Sequence, residues 1–362
     1  MIAACDRCLR RSWLLAQLVG RIERERHARP GALTALLALT DDELIGAVTA
    51  PPDVLAAYAR FDARKARGAS ETAGLDVVCR HDERFPAALR DLPDAPVALH
   101  VAGGLARFVE LTRADRVAVA IVGARRGTGY GLEVARSLGR GLAAADVVVV
   151  SGLALGVDSA AHAGALDGCG PTIAVLAGGA DRPYPPSKRA LYQQVRHQGC
   201  VVSELPPGTV AHRWCFPARN RIIAGLAGLT VVVEAAERSG SLITAELARD
   251  IGRDVAAVPG HVISPLSGGT NALLKDGAAL VRNAEDVLDL ACGVGAWRNR
   301  AVHERVPGHL AALLADVAGG RTTLEALVAG GRGVSDVLGG LAELELLGHV
   351  RAAAGGRYVV AN

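Results

Sequence analysis

The chain has 362 residues, 50% of them hydrophobic and 21% charged, and its 40 basic against 37 acidic residues leave a net charge of +3. That length suggests two or three domains and buries a sizeable core without covalent staples. The charge balance excludes a polycation and an acidic tail but leaves room for a local basic site.

Only Lys65, Lys188 and Lys275 are lysines, so the basic residues are almost all arginine, the forked cation suited to phosphate and carboxylate. Seven unevenly spaced cysteines do not resemble a disulfide framework, and no apolar run reaches membrane-spanning length. A soluble, reduced, cytoplasmic protein without a membrane partner is expected.

Residues 1–70 read as a small helical domain. Ser12 is placed as the cap of an amphipathic helix, residues 33–39 form another, and Thr40-Asp-Asp-Glu carries cap-like chemistry before the next. Pro51-Pro52 breaks the pattern and residues 54–65 resume it. Cys5-Asp-Arg-Cys8 is half of a zinc site; with no second Cys or His pair nearby, no metal is assigned.

Residues 75–292 alternate strand and helix signals. Strands are expected at 117–122, 147–150, 172–176, 199–203, 229–233 and 255–258, with helices at 130–145, 157–166, 242–251 and 271–275. Continuous apolar strands alternating with helices predict an α/β, doubly wound, Rossmann-like parallel sheet covered on both faces. Ligands of such sheets bind beyond the carboxyl ends of the strands, so the post-strand loops are the place to look. Residues 293–307 read as a linker. Three short helices and a hairpin then follow over 308–362, the order of a winged helix, with Thr322 or Thr323 capping the second helix and 334–347 in the recognition position. That segment carries Asp336, Glu343 and Glu345 but no Arg or Lys, which favours protein contact over base reading.

Five segments could hold an anion or a base. Gly123-Ala-Arg-Arg-Gly-Thr-Gly-Tyr-Gly follows a strand and opens a helix, with Arg125 and Arg126 beside it; its spacing misses the dinucleotide fingerprint. In Ser151-Gly152-Leu-Ala-Leu-Gly-Val-Asp, the Ser151 hydroxyl and the Gly152 amide can hold a phosphate. Asp158 and His162 are either an acid–base pair or an internal cap and a core histidine. The structural alternative is favoured, because nothing completes a catalytic set. Trp214-Cys-Phe-Pro-Ala-Arg-Asn-Arg lies between Glu204 and Glu234 with Arg213, Arg219 and Arg221 and no acid. There Phe216 is offered as a stacking platform in a positive groove, and Trp214 is assigned to the core. Ser239-Gly240-Ser, with Thr244 one turn on, and Gly268-Gly269-Thr270-Asn271, with Lys275 a turn later, both open helices.

Together these stretches resemble the DNA-processing protein A (DprA/Smf) family. The motifs are Val122-Gly-Ala-Arg, Ser151-Gly-Leu-Ala-Leu-Gly-Val-Asp with His162, Tyr184-Pro-Pro, Ser203-Glu-Leu-Pro-Pro-Gly, Phe216-Pro-Ala-Arg-Asn-Arg-Ile-Ile-Ala-Gly, Ser239-Gly-Ser-Leu-Ile-Thr-Ala, Val258-Pro-Gly and Gly268-Gly-Thr-Asn. The resemblance implies a core that binds single-stranded DNA, a homodimer, and loading of the RecA recombinase onto incoming strands during natural transformation. It also implies an N-terminal module like a SAM or helix-hairpin-helix domain. No cofactor and no catalytic residue are assigned, since no complete catalytic set is found. Carried over by position, Arg125, Phe216, Arg219, Arg221 and Lys275 are DNA-contact residues, joined by Gly123, Asn220 and Asn271. Ser151, Gly152, Ser239, Gly240, Gly269 and Thr270 supply the phosphate-binding backbone. Two departures remove contacts: Leu155 stands where many members have Arg, and Ala124 where the family often has Ser or Thr. The competing reading is a nucleoside-monophosphate phosphoribohydrolase with Glu246 as its acid; the glycine pair that family needs is missing beside Arg238-Ser-Gly-Ser.

Overall fold

The computed structural model describes residues 4–29, 31–299, 308–329, 331–346, 349–353 and 355–360. Most of the expected linker, together with Leu347 and Gly348, lies outside them. The chain divides into two compact units, Met1–Val294 and Gly295–Asn362.

The first unit is built on a nine-stranded sheet. Its strands are β1 (Asp76–Cys79), β2 (Ala98–Ala102), β3 (Ala118–Val122), β4 (Val148–Ser151), β5 (Thr172–Val175), β6 (Cys200–Ser203), β7 (Leu229–Val232), β8 (Asp254–Ala257) and β9 (Ala279–Leu280). The spatial order is β1-β2-β6-β5-β4-β3-β7-β8-β9. All pairs from β6 to β9 are parallel; β2 runs antiparallel to β6, and β1 antiparallel to β2. The six expected strands are present within a residue or two of their predicted ends, because strands buried on both faces must be apolar throughout. The outer strands β1, β2 and β9 escape that signature, being short or mixed with His100 and Asp76. From β3 the chain winds outward through β4, β5 and β6, then returns to place β7 on the other side of β3. This reversal between β3 and β7 is the switch point of a doubly wound sheet.

Helices at Asp6–Gln17, Val19–Ala28, Leu33–Ala38, Asp41–Ala47, Pro52–Ala59 and Ala63–Thr72 precede the sheet. Thr40 caps the fourth through a reciprocal capping box with Glu43. Ser12 caps nothing: it lies mid-helix, where its hydroxyl donates to the Glu204 carbonyl at 2.9 Å and accepts from His100 Nε2 at 3.0 Å. The expected helix over 54–65 is interrupted, since Asp62 caps a new helix through the Arg64 and Lys65 amides. Trp214 is buried as expected. Its indole donates to the Val19 carbonyl and its amide to Glu23, packing the front helices against the sheet.

The second unit holds helices Gly308–Ala318, Leu324–Val328 and Val334–Leu346, then the antiparallel pair β10 (Val350–Ala353) and β11 (Arg357–Val360). Thr323 caps the second helix by accepting from the Ala326 amide. Leu310, Leu313, Leu327, Leu341, Leu344 and Val350 form its core. No helix among the described residues is long and apolar enough to cross a membrane.

Candidate nucleic-acid interface

The loops after β3 and β7 meet at the switch point around a cleft of about 400 Å³. Gly123 leaves β3 where a Cβ would stand within 3 Å of the Val157 side chain, so only glycine keeps the loop against the start of the Val157–Asp167 helix. The loop is held from behind by Glu234. Its backbone carbonyl accepts from the Ala124 amide at 2.6 Å, while its carboxylate accepts from the Thr128 amide and hydroxyl at 2.8 Å each. Thr128 in turn caps the Gly129–Ala144 helix by accepting from Gly131. These bonds fix the turn and leave Arg125 and Arg126 exposed on its outer side.

The stretch from Trp214 onward is a helix, Cys215–Leu226; Pro217 sits in its first turn, where no intrahelical donor is lost. At 3.6 residues per turn, Phe216, Arg219, Asn220 and Ile223 share the face that lines the cleft. The Arg125 guanidinium lies 4.6 Å from the Phe216 ring centroid, and the Tyr184 ring stands 5.6 Å from that ring on a tilted plane. A smaller cavity of about 70 Å³ adjoins this trio, lined also by Gly152, Leu155 and Arg219. Tyr184 carries no cue beyond its Tyr-Pro-Pro context, and only the tertiary contact shows its place in the stack.

Arg219 is buried beneath the stack. Its Nη1 donates to the carbonyls of Gly152 at 2.6 Å and Val175 at 2.5 Å, and its Nε to Asn220 Oδ1 at 3.2 Å. Burial, reinforced by repulsion from Arg125 and opposed by Asp158, pulls its pKa down to about 10, so it remains a cation at neutral pH. Asn220 ties the helix to the next loop by donating to the Gly240 carbonyl at 3.3 Å. Ser239 caps the Gly240–Asp250 helix, whose first turn opens on the cleft with Gly240, Ser241 and Thr244 in its wall.

Several expected contacts are placed otherwise. Arg221 points to the opposite side of its helix: Nη2 donates to both Glu204 carboxylate oxygens at 2.8 and 2.7 Å, and Nε lies 3.2 Å from Asp94 Oδ2. It is a buried structural cation. Ser151 is fully buried and donates to the Ile121 carbonyl, and the Gly152 amide already donates to Asp158 Oδ2 at 3.1 Å, so neither has a free donor for a phosphate. The Gly269 amide donates to the Ala235 carbonyl, and the Thr270 hydroxyl to that of Ser267. Asn271 both donates to the Gly260 carbonyl and accepts from its amide. These three residues secure the β8 loop and are outside the cleft lining. Lys275 is exposed, also outside it.

His162 is a core histidine. It is fully buried, its Nδ1 donates to Thr172 Oγ1 at 2.7 Å because that hydroxyl donates to the Val149 carbonyl, and burial lowers its pKa to about 3. Burial pushes the Asp158 carboxyl upward against the pull of Arg219. Asp158 is the one acid in the cleft lining among the described residues, facing Arg125, Arg126 and Arg219. Glu246 is exposed and outside that lining. The cleft is therefore positive at its rim, aromatic on one wall and rich in small residues on the other, a combination that suits a phosphate chain with unstacked bases.

The chain is 44% identical over 246 residues to a DprA relative from Mycobacterium tuberculosis, a match covering 63% of each chain, so it spans under two thirds of that protein's length. The X-ray structure of DNA processing protein A from Streptococcus pneumoniae superposes with a TM-score of 0.61 at 34% identity, over 78% of this chain and 95% of that one. A Helicobacter pylori DNA processing protein A, whose structure concerns its single-stranded DNA binding mode, matches with a TM-score of 0.53 at 29% identity, over 60% of this chain and 96% of that one. The profile of the DNA recombination-mediator protein A family matches residues 76–291. These residues hold the whole sheet and its cleft, and the chain belongs to that family.

Proposed function

We propose that this protein is a recombination mediator that binds single-stranded DNA in the switch-point cleft, protects the strand and loads RecA recombinase onto it during DNA uptake, acting as a cytoplasmic homodimer. The observation that carries the reading is the stack of Arg125 on Phe216 beside Tyr184, at the mouth of a cleft with a buried third cation, Arg219. Exposed arginines neutralise phosphates, the rings accept bases without regard to sequence, and the small-residue wall lets the backbone approach. Family membership supports the wider role. So does the helix-helix-helix-hairpin order of the C-terminal unit, which fits a winged helix used for protein contact.

Fluorescence anisotropy of labelled oligothymidylate against a duplex of equal length, titrated with salt, tests the site. Binding should favour the single strand, with log K falling by about 0.7 per neutralised phosphate for each tenfold rise in salt. Arg125→Glu should remove most of that binding while leaving the unfolding transition in place, because Arg125 is exposed. Undiminished binding by Arg125→Glu would refute the assignment. Arg219→Glu is not a clean alternative, since it would bury a carboxylate against two carbonyls.

A further inference from the structure

The Cys5-Asp-Arg-Cys8 stretch, left as half a site in sequence, finds its other half across the fold. Cys5 immediately precedes the first helix and Cys8 lies in its first turn. Cys79 ends β1, and His81 follows two residues later in a turn closed by the Asp82 amide on the Cys79 carbonyl. The three sulfurs and His81 Nδ1 all lie within 4.8 Å of one another. His81 Nδ1 is 3.5 Å from Cys5 Sγ, 3.3 Å from Cys8 Sγ and 4.0 Å from Cys79 Sγ. A tetrahedral zinc ion with Zn–S near 2.3 Å and Zn–N near 2.05 Å requires S···N separations of about 3.6 Å, in the middle of this range. The Cys5 amide donates to Cys79 Sγ at 3.5 Å, the kind of outer hydrogen bond that orients a thiolate ligand.

We propose that Cys5, Cys8, Cys79 and His81 form a closed Cys₃His site for zinc that fastens the N-terminal helices to the edge of the sheet. Three soft sulfurs and an imidazole select zinc over magnesium or calcium, which take oxygen ligands. Four protein ligands leave no open position for water or substrate, so the site is structural. Binding displaces the thiol protons. Three thiolates around a dication leave a net charge of −1, and Arg7 and Arg80 interleave the ligands in the sequence. The mechanical need is plain from the surroundings: Ala4, Cys8, Leu9, Val77, Cys79 and Ala98 make only a small satellite core where the first helix meets β1. β1 is one of the two edge strands, five strand spacings or about 24 Å from β3, so the metal acts on the clamp and not on the cleft.

The test is elemental analysis of the full chain purified under reducing conditions and reconstituted with zinc, then dialysed against metal-free buffer. About one zinc per chain should remain bound, and a cobalt-substituted sample should show the d–d bands of a tetrahedral ion with thiolate-to-cobalt charge transfer. Because His81 is exposed, His81→Ala should keep the fold but lose the metal on dialysis, whereas His81→Cys should retain it. A strong chelator should lower the melting temperature of the native chain but not that of His81→Ala. Metal-free protein after reconstitution, an octahedral cobalt spectrum, or zinc retained equally by His81→Ala and Cys8→Ser would overturn the proposal.

Discussion

Gly152→Ala probes, with one methyl group, the small cavity beside the stack and the Arg219 slot behind it. A Cβ built on Gly152 would stand 1.8 Å from Arg219 Nη1, 2.3 Å from Cζ and 2.5 Å from Nη2, so the guanidinium must leave its slot. It can move, being the end of a flexible side chain, but only by giving up the carbonyls of Gly152 and Val175. Hydrogen bonds from a charged donor contribute about 1.5–3 kcal/mol each, so losing two costs at most about 3–6 kcal/mol. Water entering the adjoining cavities re-solvates part of the displaced charge and lowers that figure. Asp158 would also lose the cation that offsets its burial. Even about 3 kcal/mol is a large share of the 5–15 kcal/mol typical of a domain. Urea unfolding followed by circular dichroism, with single-stranded DNA binding measured on the same samples, reads both consequences. The decisive comparison is a double-mutant cycle with Arg219→Ala. If Gly152→Ala acts only by expelling Arg219, adding it to Arg219→Ala should cost under about 1 kcal/mol more. A native-like midpoint for Gly152→Ala, or full additivity in the cycle, would refute the reasoning.

Phe216→Ala removes the proposed stacking platform; a base–aromatic stack is worth about 1–3 kcal/mol, so the single-strand dissociation constant should rise roughly 5- to 150-fold. Anisotropy checks it, and unchanged affinity would exclude Phe216 as a platform. The pH dependence of stability follows from His100 and His162, both fully buried with folded-state pKa values lowered by burial to about 4 and about 3. Each is neutral in the fold and binds a proton on unfolding, so their contribution is complete above the ordinary value near 6.5 and is lost as pH falls toward 4. Between those limits stability should drop by up to about 2.7 kcal/mol per pH unit, two protons at 1.36 kcal/mol each. Urea midpoints at pH 7, 6 and 5 should show the fall, and His162→Gln should halve its slope; a flat profile over that interval would contradict it.

Composition and order of residues alone determined the alternation of strands and helices, because a strand covered on both faces has to be apolar at every position. The loops at the sheet edge, the caps at Thr40 and Thr323, and the burial of Trp214 were legible for similarly local reasons. What remained hidden depended on direction or on distance along the chain. As a linear run with no acid between Glu204 and Glu234, Arg219 and Arg221 are equivalent, yet on a helix two positions differ by about 200°, so one lines the cleft and the other meets Glu204 and Asp94. Ser151, Gly152 and Gly269 looked like open anion donors until the fold supplied the partners that occupy them. Tyr184 joined Phe216, and Cys5 and Cys8 met Cys79 and His81, only because chain segments remote in sequence converge. Local pattern is set by backbone geometry and burial, and so is written in consecutive residues; which polar groups remain free is decided by what packs against them, which only the tertiary structure settles.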